Sequence, residues 1–238
     1  MTITKKEKRQ PKTAAIIVAA GKSSRMLGID KQLARIAGVP SVVHTLEAFE
    51  KSPLISEIVL VVREENIEEV RKIVNYYRIK KIKTIVAGGN SRQESVFAGI
   101  REIDSQTDYY CIHDGARPLV SQKIINAAIK GAILYGAAAA GVPVKDTIKM
   151  VENDFIKSTP NRNEMYMIQT PQVFRTDLYN DAVIVAMENN KDYTDDCQLV
   201  EAVGKKVFIS KGEYYNIKLT TPEDMPVAEA LFNVRGEE

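Results

Sequence analysis

The chain has 238 residues, 33 Lys and Arg against 31 Asp and Glu, and a formal net charge of +2. That length suits one α/β domain with a full core, and so small a charge offers no global field for nucleic acid. Two cysteines without CxxC spacing and two histidines argue against a disulfide framework or a zinc cluster; no run of about 18 apolar residues could span a membrane, so the expected compartment is the cytoplasm.

The first twelve residues are locally basic (Lys5, Lys6, Lys8, Arg9, Lys12) and lack the apolar stretch of a signal peptide. They read as a flexible, solvated tail. Residues 14–18, AAIIV, read as a buried parallel strand that breaks at Ala19-Ala20-Gly21 into a loop carrying Lys22, Ser23, Ser24 and Arg25, with Lys31 six residues further on. Ser41–Glu50 has helical periodicity, and its His44 reads as a packing residue. Strands follow at 58–62, at 82–87 before Gly88-Gly89, and at 108–113 before Asp114-Gly115-Ala116-Arg117-Pro118. Helices are predicted at 66–77, 91–102 and 121–135, the second with Ser91 and Glu94 as a capping box. Residues 137–142, AAAAGV, make a fifth strand, and Cys111 falls in the core of the fourth. The alternation predicts a Rossmann-like α/β fold: an open, mostly parallel twisted sheet, helices on both faces, right-handed crossovers.

The rhythm changes at 145–172, where no helix is legible. Residues 148–151 and 155–157, with a turn at Glu152-Asn153-Asp154, read as a hairpin. We take this stretch as a protruding β-arm that packs on a second copy. A helix at 175–189, a polar segment 192–196 leading into a short helix, a strand at 206–210 and a last helix from 222 to about 233 complete one domain.

Two negatives narrow the chemistry. Gly21-Lys22-Ser23 looks like the end of a Walker A loop, but Ile16 stands where the upstream glycine is needed. A GxGxxG dinucleotide fingerprint fails too, because Ser23 follows where the second glycine should be. What remains is a strand running into a small-residue loop with flanking cations, which suits a triphosphate attacked at its α-phosphorus. In an open α/β sheet the ligand lies outside the carboxyl ends of the strands. Those ends bring Gly21 to Arg25, Gly88-Gly89 to Arg92 and Ser95, Asp114 to Arg117, and Val144 to Thr147 to one edge. The glycines let a flat base approach the backbone; Asp114 is suited to a ribose hydroxyl or to a magnesium ion held with the triphosphate.

The motifs AAGKSSRM with Lys31-Gln32, AGGNSRQESVFAG, HDGARP, VPVKDTIK, NRN, QTPQVF, TDD and NIKLTTPED run in order from Ala19 to Asp224. Each is weak alone; eight in order resemble the sugar- and alditol-phosphate nucleotidyltransferases, specifically the 2-C-methyl-D-erythritol 4-phosphate cytidylyltransferases of non-mevalonate isoprenoid synthesis. The resemblance implies transfer of CMP from CTP to methylerythritol phosphate, magnesium dependence and a homodimer. It implies Arg25, Lys31 and Lys218 as catalytic cations. Ala19, Ala20, Gly88 and Ser95 would lie around cytosine, and Gly21 and Asp114 around ribose and phosphate. Arg117, Thr147, Arg162, Thr170, Thr194 and Lys218 would lie around the acceptor, with Arg162 crossing on the arm to a neighbouring subunit. Asp30 stands where the family often has Pro or Asn, and an acid there partly neutralises Lys31 unless it turns to solvent. NRNEMY also resembles the ribitol 5-phosphate cytidylyltransferases, while HDGARP and VPVKDTIK favour the methylerythritol enzymes. A catalytically silent nucleotide-binding protein of this fold would be expected to lack one of the three cations, and all three are present.

Overall fold

In a computed structural model of the chain, residues 9–21, 30–189 and 191–236 are described. The strands are β1 (Thr13–Val18), β2 (Arg35–Ile36), β3 (Val39–Pro40), β4 (Glu57–Val62), β5 (Ile82–Ala87), β6 (Tyr109–Asp114), β7 (Ala137–Pro143), β8 (Met150–Glu152), β9 (Phe155–Ser158), β10 (Tyr166–Arg175) and β11 (Phe208–Lys211). The helices are α1 (Ser41–Glu50), α2 (Ile67–Tyr76), α3 (Arg92–Ile100), α4 (Gln122–Tyr135), α5 (Thr176–Glu188), α6 (Asp196–Glu201) and α7 (Asp224–Gly236). Seven strands form one sheet in the order β11-β7-β10-β6-β1-β4-β5. The expected α/β architecture is present.

The period-2 alternation of a strand divides the core. From β1, Ala15 and Ile17 pack with Val42, Leu46 and Phe49 of α1, Val70 of α2 and Ile124 and Ala128 of α4. Ile16 points the other way, against Val96 of α3, Tyr179 and Ala182 of α5 and Leu199 of α6. A third cluster, Ile36, Ala116, Leu119, Leu219 and Ala228, packs α7 beside the turn after β6. Small residues in β7 admit close neighbours: a Cβ on Gly131 of α4 would come within 3.0 Å of both Ala138 and the Phe208 ring. Cys111 and Cys197 are buried free thiols, and burial pushes both up.

The structure departs from the sequence reading at β10. Residues 168–172 were expected to belong to the arm. Instead Gln169, Thr170 and Gln172 are buried, and β10 runs between β6 and β7, antiparallel to both. The sheet strand therefore begins before the predicted arm ends, and the part of the arm that forms a hairpin outside the sheet is β8–β9. Its tip, Asn153 and Asp154, has positive φ at both residues, the backbone of a tight two-residue turn. Met150, Val151, Phe155 and Ile156 on it are exposed. At the other end of the chain, Arg9 and the Lys12 amide are tied to Asp108, at 2.9 and 2.7 Å, so residues 9–12 are docked.

Smaller differences concern caps. Ser91 caps α3 as expected, its hydroxyl accepting from the Glu94 amide at 3.1 Å, but Glu94 reaches back to the Asn90 amide rather than to that of Ser91. His44 is a packing residue, its ring against Phe232 and its Nε2 2.9 Å from the Ile36 carbonyl.

Candidate active site

The chain runs from β1 outward to β4 and β5, then returns to β6 on the other side of β1. A crevice at such a switch in strand order is where open α/β sheets bind ligands. The register sets Val18 at the end of β1 opposite Asp114 at the end of β6, so the Gly21 loop leaves the sheet next to the Asp114 carboxylate. The crevice, about 210 Å³, is lined by Ala20, Gly21, Lys31, Ser95, Asp114 and Lys218, together with Gln32, Gly89 and Arg92. A larger hollow of about 980 Å³ lies by β7 and β11, lined by Pro143, Tyr166 and Tyr214 among others. Among the described residues it is lined by none of the predicted site residues, whereas the smaller crevice gathers cations and a carboxylate.

One end of the crevice is built from small groups. A Cβ on Gly88 would lie 2.3 Å from the Ala20 Cβ and 2.7 Å from the Ser95 hydroxyl. Gly88 is therefore needed to bring Ala20 and Ser95 together. The Ser95 hydroxyl donates to the Ser91 carbonyl at 2.9 Å and accepts from the Gly89 amide at 3.1 Å. Ala19 is buried beneath, its amide bonded to the Val61 carbonyl at 2.7 Å, so it supports the wall without lining it.

The other end is electrostatic. Asp114 meets Lys218 Nζ at 2.9 Å, Arg92 Nε at 3.2 Å and Arg117 Nε at 3.6 Å, with its side chain one-tenth exposed. Burial opposes the charged carboxylate, but the pull of Arg92, Lys218 and Arg117 outweighs it and holds the group well below the usual carboxylate range. Arg92 also grips Asp196 at 2.7 Å, and Asp196 accepts from the Tyr179 hydroxyl at 2.6 Å. Arg117 Nη1 donates to the Asn216 carbonyl at 2.7 Å. The buried Asn216 amide donates to Gln169 Oε1 at 3.1 Å and to the Thr170 carbonyl at 2.9 Å. Those two bonds to β10 fix the segment on which Lys218 is carried.

Beneath Asp114, burial lowers His113 to about 3, so the ring is neutral. Thr170 Oγ1 accepts from the Asp114 amide at 3.0 Å and lies 3.1 Å from His113 Nδ1. His113 Nε2 faces the Arg117 carbonyl at 3.4 Å, which can only accept, so the ring proton is assigned to Nε2 and Nδ1 accepts from the Thr170 hydroxyl. Thr170, expected at the acceptor, is thus buried with both hydroxyl roles used inside the protein.

The crevice brings together Ala20, Gly21, Lys31, Ser95, Asp114 and Lys218. Gly88, Arg117 and Thr170 stand directly behind them. Thr147, Arg162 and Thr194 are exposed and do not line it. Arg162 donates to the Lys145 carbonyl at 2.9 Å, at the base of the arm. Thr194 turns to Gln198 Oε1, 3.1 Å from its amide. Arg25 falls in residues 22–29, outside the described residues. Asp196 escaped the sequence reading, and Arg92, placed at the strand-end edge, was given no role there. Both lie in the sequence motifs, but Arg92 meets Asp114 from 22 residues away and Asp196 from 104. Asp30 is not turned to solvent. Its carboxylate is bound by Arg63, by Asn66 Nδ2 at 2.8 Å and by the Gln32 amide at 3.0 Å.

As to metal, no group of three or more His, Cys, Asp or Glu side chains suited to an ion occurs among the described residues. Asp114 is the carboxylate on the crevice. Magnesium sites of nucleotide enzymes use one or two carboxylates plus substrate phosphates, so the residues fit an ion that arrives with a triphosphate. Among the described residues, no helix is long and apolar enough to cross a membrane.

Residues 13–234 match the family model "IspD: 2-C-methyl-D-erythritol 4-phosphate cytidylyltransferase". The chain is 48% identical over 220 residues to the enzyme of that name from Caldanaerobacter subterraneus subsp. tengcongensis, covering 91% of this chain and 96% of the relative. It is 43% identical over 223 residues to the one from Clostridium novyi, covering 92% and 96%. Its fold is similar to the crystal structure of 4-diphosphocytidyl-2C-methyl-D-erythritol synthase from Anaerococcus prevotii, with TM-score 0.85, 32% identity and coverage of 94% and 97%. The Thermus thermophilus 2-C-methyl-D-erythritol 4-phosphate cytidylyltransferase matches with TM-score 0.76, 28% identity and coverage of 93% and 98%. The order of motifs, the crevice at the sheet's switch point and these likenesses agree: the chain belongs to the 2-C-methyl-D-erythritol 4-phosphate cytidylyltransferase family.

Proposed function

We propose that the crevice between the ends of β1 and β6 is where this cytidylyltransferase transfers CMP from CTP to methylerythritol phosphate. The observation that carries the proposal is the convergence of Lys31, Lys218 and Asp114 beside Gly21. The small-residue end, Ala20, Gly88 and Ser95, takes the cytosine ring, and Gly21 lets backbone amides approach the phosphates. An oxygen of the acceptor's phosphate attacks the α-phosphorus of CTP. A new P–O bond forms, the bond to the bridging oxygen breaks, and pyrophosphate leaves with that oxygen's electron pair. The product is 4-diphosphocytidyl-2-C-methyl-D-erythritol.

Negative charge spreads over the phosphoryl oxygens during this exchange, and preorganised cations lower the barrier. Lys31 and Arg25 serve the phosphorus under attack. Lys218 lies against Asp114 at 2.9 Å, and a triphosphate offers it a second anion at short reach. Asp114 would hold Mg²⁺ with the phosphates; that ion supplies charge neutralisation of the leaving group. Arg117, Thr147, Arg162 and Thr194 are the acceptor's residues. Thr147 and Arg162 lie on the arm, away from the chain's own crevice, which supports a homodimer in which each arm serves the other subunit.

The test of substrate is pyrophosphate release from CTP with methylerythritol phosphate and ribitol 5-phosphate offered in parallel. Release is expected with the first. Faster release with ribitol 5-phosphate would overturn the acceptor assignment.

A further inference from the structure

We propose that Asp30 is a positioning residue for Lys31, its carboxylate pinned to Arg63 and Asn66 so that the backbone turn at 30–34 aims Lys31 into the nucleotide crevice. The inference rests on the role given to Lys31 above. Asp30 is the residue most suspect from sequence, an acid beside a catalytic cation. Its geometry gives it the opposite part.

The carboxylate holds three donors. Arg63 forms an ion pair with Oδ2, Asn66 Nδ2 donates to the same oxygen at 2.8 Å, and the Gln32 amide donates to Oδ1 at 3.0 Å. The side chain is only 16% exposed and that of Arg63 only 28%, so the pair is shielded from water and held more firmly than a surface contact. The Asp30 carbonyl accepts from the amides of Leu33 and Ala34, at 3.0 and 2.8 Å, and closes a turn. Lys31 sits inside that turn. On its far side the Ser41 hydroxyl donates to the Lys31 carbonyl. The Ser41 and Val42 amides bond to the carbonyls of Ala34 and Gln32, at 2.8 and 3.1 Å. The main chain of Lys31 is therefore gripped from both sides at a point where the residue lines the crevice.

The anchor also lies at the right place. Arg63 follows β4, whose last carbonyls, Val61 and Val62, accept from the Ala19 and Gly88 amides at 2.7 and 2.8 Å. The strand end that holds Asp30 thus also holds two backbone stretches around the crevice. Moving Asp30 would move Lys31 relative to the base and phosphate walls. Displacement of a catalytic group by about 1 Å lowers rates by up to about 100-fold. The carboxylate's acceptor sites face Arg63, Asn66 and Gln32, so its charge is spent on the clasp.

The experiment measures kcat, KM for both substrates and Tm in Asp30→Ala, Asp30→Asn, Arg63→Met, Lys31→Ala and the double variant Asp30→Ala with Lys31→Ala. We expect Asp30→Ala and Arg63→Met to lower kcat by about 10- to 100-fold, with the acceptor's KM within about twofold. Asp30→Asn, which keeps an acceptor for the Gln32 amide, should recover part of the loss. In the Lys31→Ala background, Asp30→Ala should change kcat less than about twofold, because the group it positions is gone. Wild-type or raised kcat in Asp30→Ala, alongside an impaired Lys31→Ala, would overturn the inference. So would equal losses in both backgrounds, which would make Asp30 a part of general stability only. Wild-type turnover in Lys31→Ala would instead remove the role of Lys31. Arg63→Met keeps the inference testable if Asp30→Ala fails to fold.

Discussion

Replacing Asp114 by Asn tests how the site's charges are held. The carboxylate balances Arg92, Arg117 and Lys218 at 3.2, 3.6 and 2.9 Å while nearly buried. Asn keeps the shape and one acceptor but removes the charge. Breaking a buried ion pair from one side costs about 3–5 kcal/mol. Here each cation keeps something: Arg92 keeps Asp196, Arg117 keeps the Asn216 carbonyl, and Lys218, more than a third exposed, can turn to water. The loss should therefore sit near the low end, about 3 kcal/mol. For a chain of this size that lowers Tm by about 6–12 °C. Urea unfolding across pH supplies the sign. Asp114 is held below its unfolded value, about 3.9. Its contribution is thus complete above that pH and fades as pH falls toward the folded value. The gap between wild type and variant should be constant from about pH 5 to 8 and shrink below about pH 4. A loss under about 1 kcal/mol at pH 7, with the gap unchanged in acid, would refute Asp114 as the anchor of the cation cluster.

Two further substitutions separate support from contact. Thr170→Val removes the acceptor for the Asp114 amide and the donor to His113, so it should destabilise by about 1–3 kcal/mol in urea melts, while Thr170→Ser should not; a raised acceptor KM at unchanged Tm would place Thr170 at the substrate instead. Arg162→Ala should chiefly raise the acceptor's KM in steady-state assays, and mixing it with Lys31→Ala subunits should restore some activity; failure of any mixture to recover turnover would count against an arm that crosses between subunits.

The layered α/β fold was legible because the apolar runs at β1, β4 and β6 are short, unbroken and followed by glycine or polar turns. β10 was not. Pro171 interrupts it and Gln169 and Gln172 are polar, so neither the alternation nor the apolar run of a central strand shows. Its glutamines are buried because they bond inside the fold, Gln169 to the Glu213 carbonyl at 2.9 Å and Gln172 to the Cys197 amide at 3.2 Å. Such pairing across 25 or more residues leaves no local trace. At the site, Gly21, Ser95, Asp114 and Lys218 were legible as strand-end residues or through the family resemblance. Arg92 was legible at the same edge, but its place as the bridge between Asp114 and Asp196 depends on three elements meeting. Asp30 was legible as a charge beside Lys31, but its partners were not, since Arg63 and Asn66 reach it from beyond the end of another strand.

Steady-state pyrophosphate release by Lys31→Ala, with CTP and methylerythritol phosphate saturating, bears most directly on the claim that this crevice carries out cytidylyl transfer. Loss of a preorganised cation at the reacting phosphorus predicts a kcat lower by about 10²–10³-fold, with Tm unchanged. Turnover equal to that of the wild-type chain would contradict it.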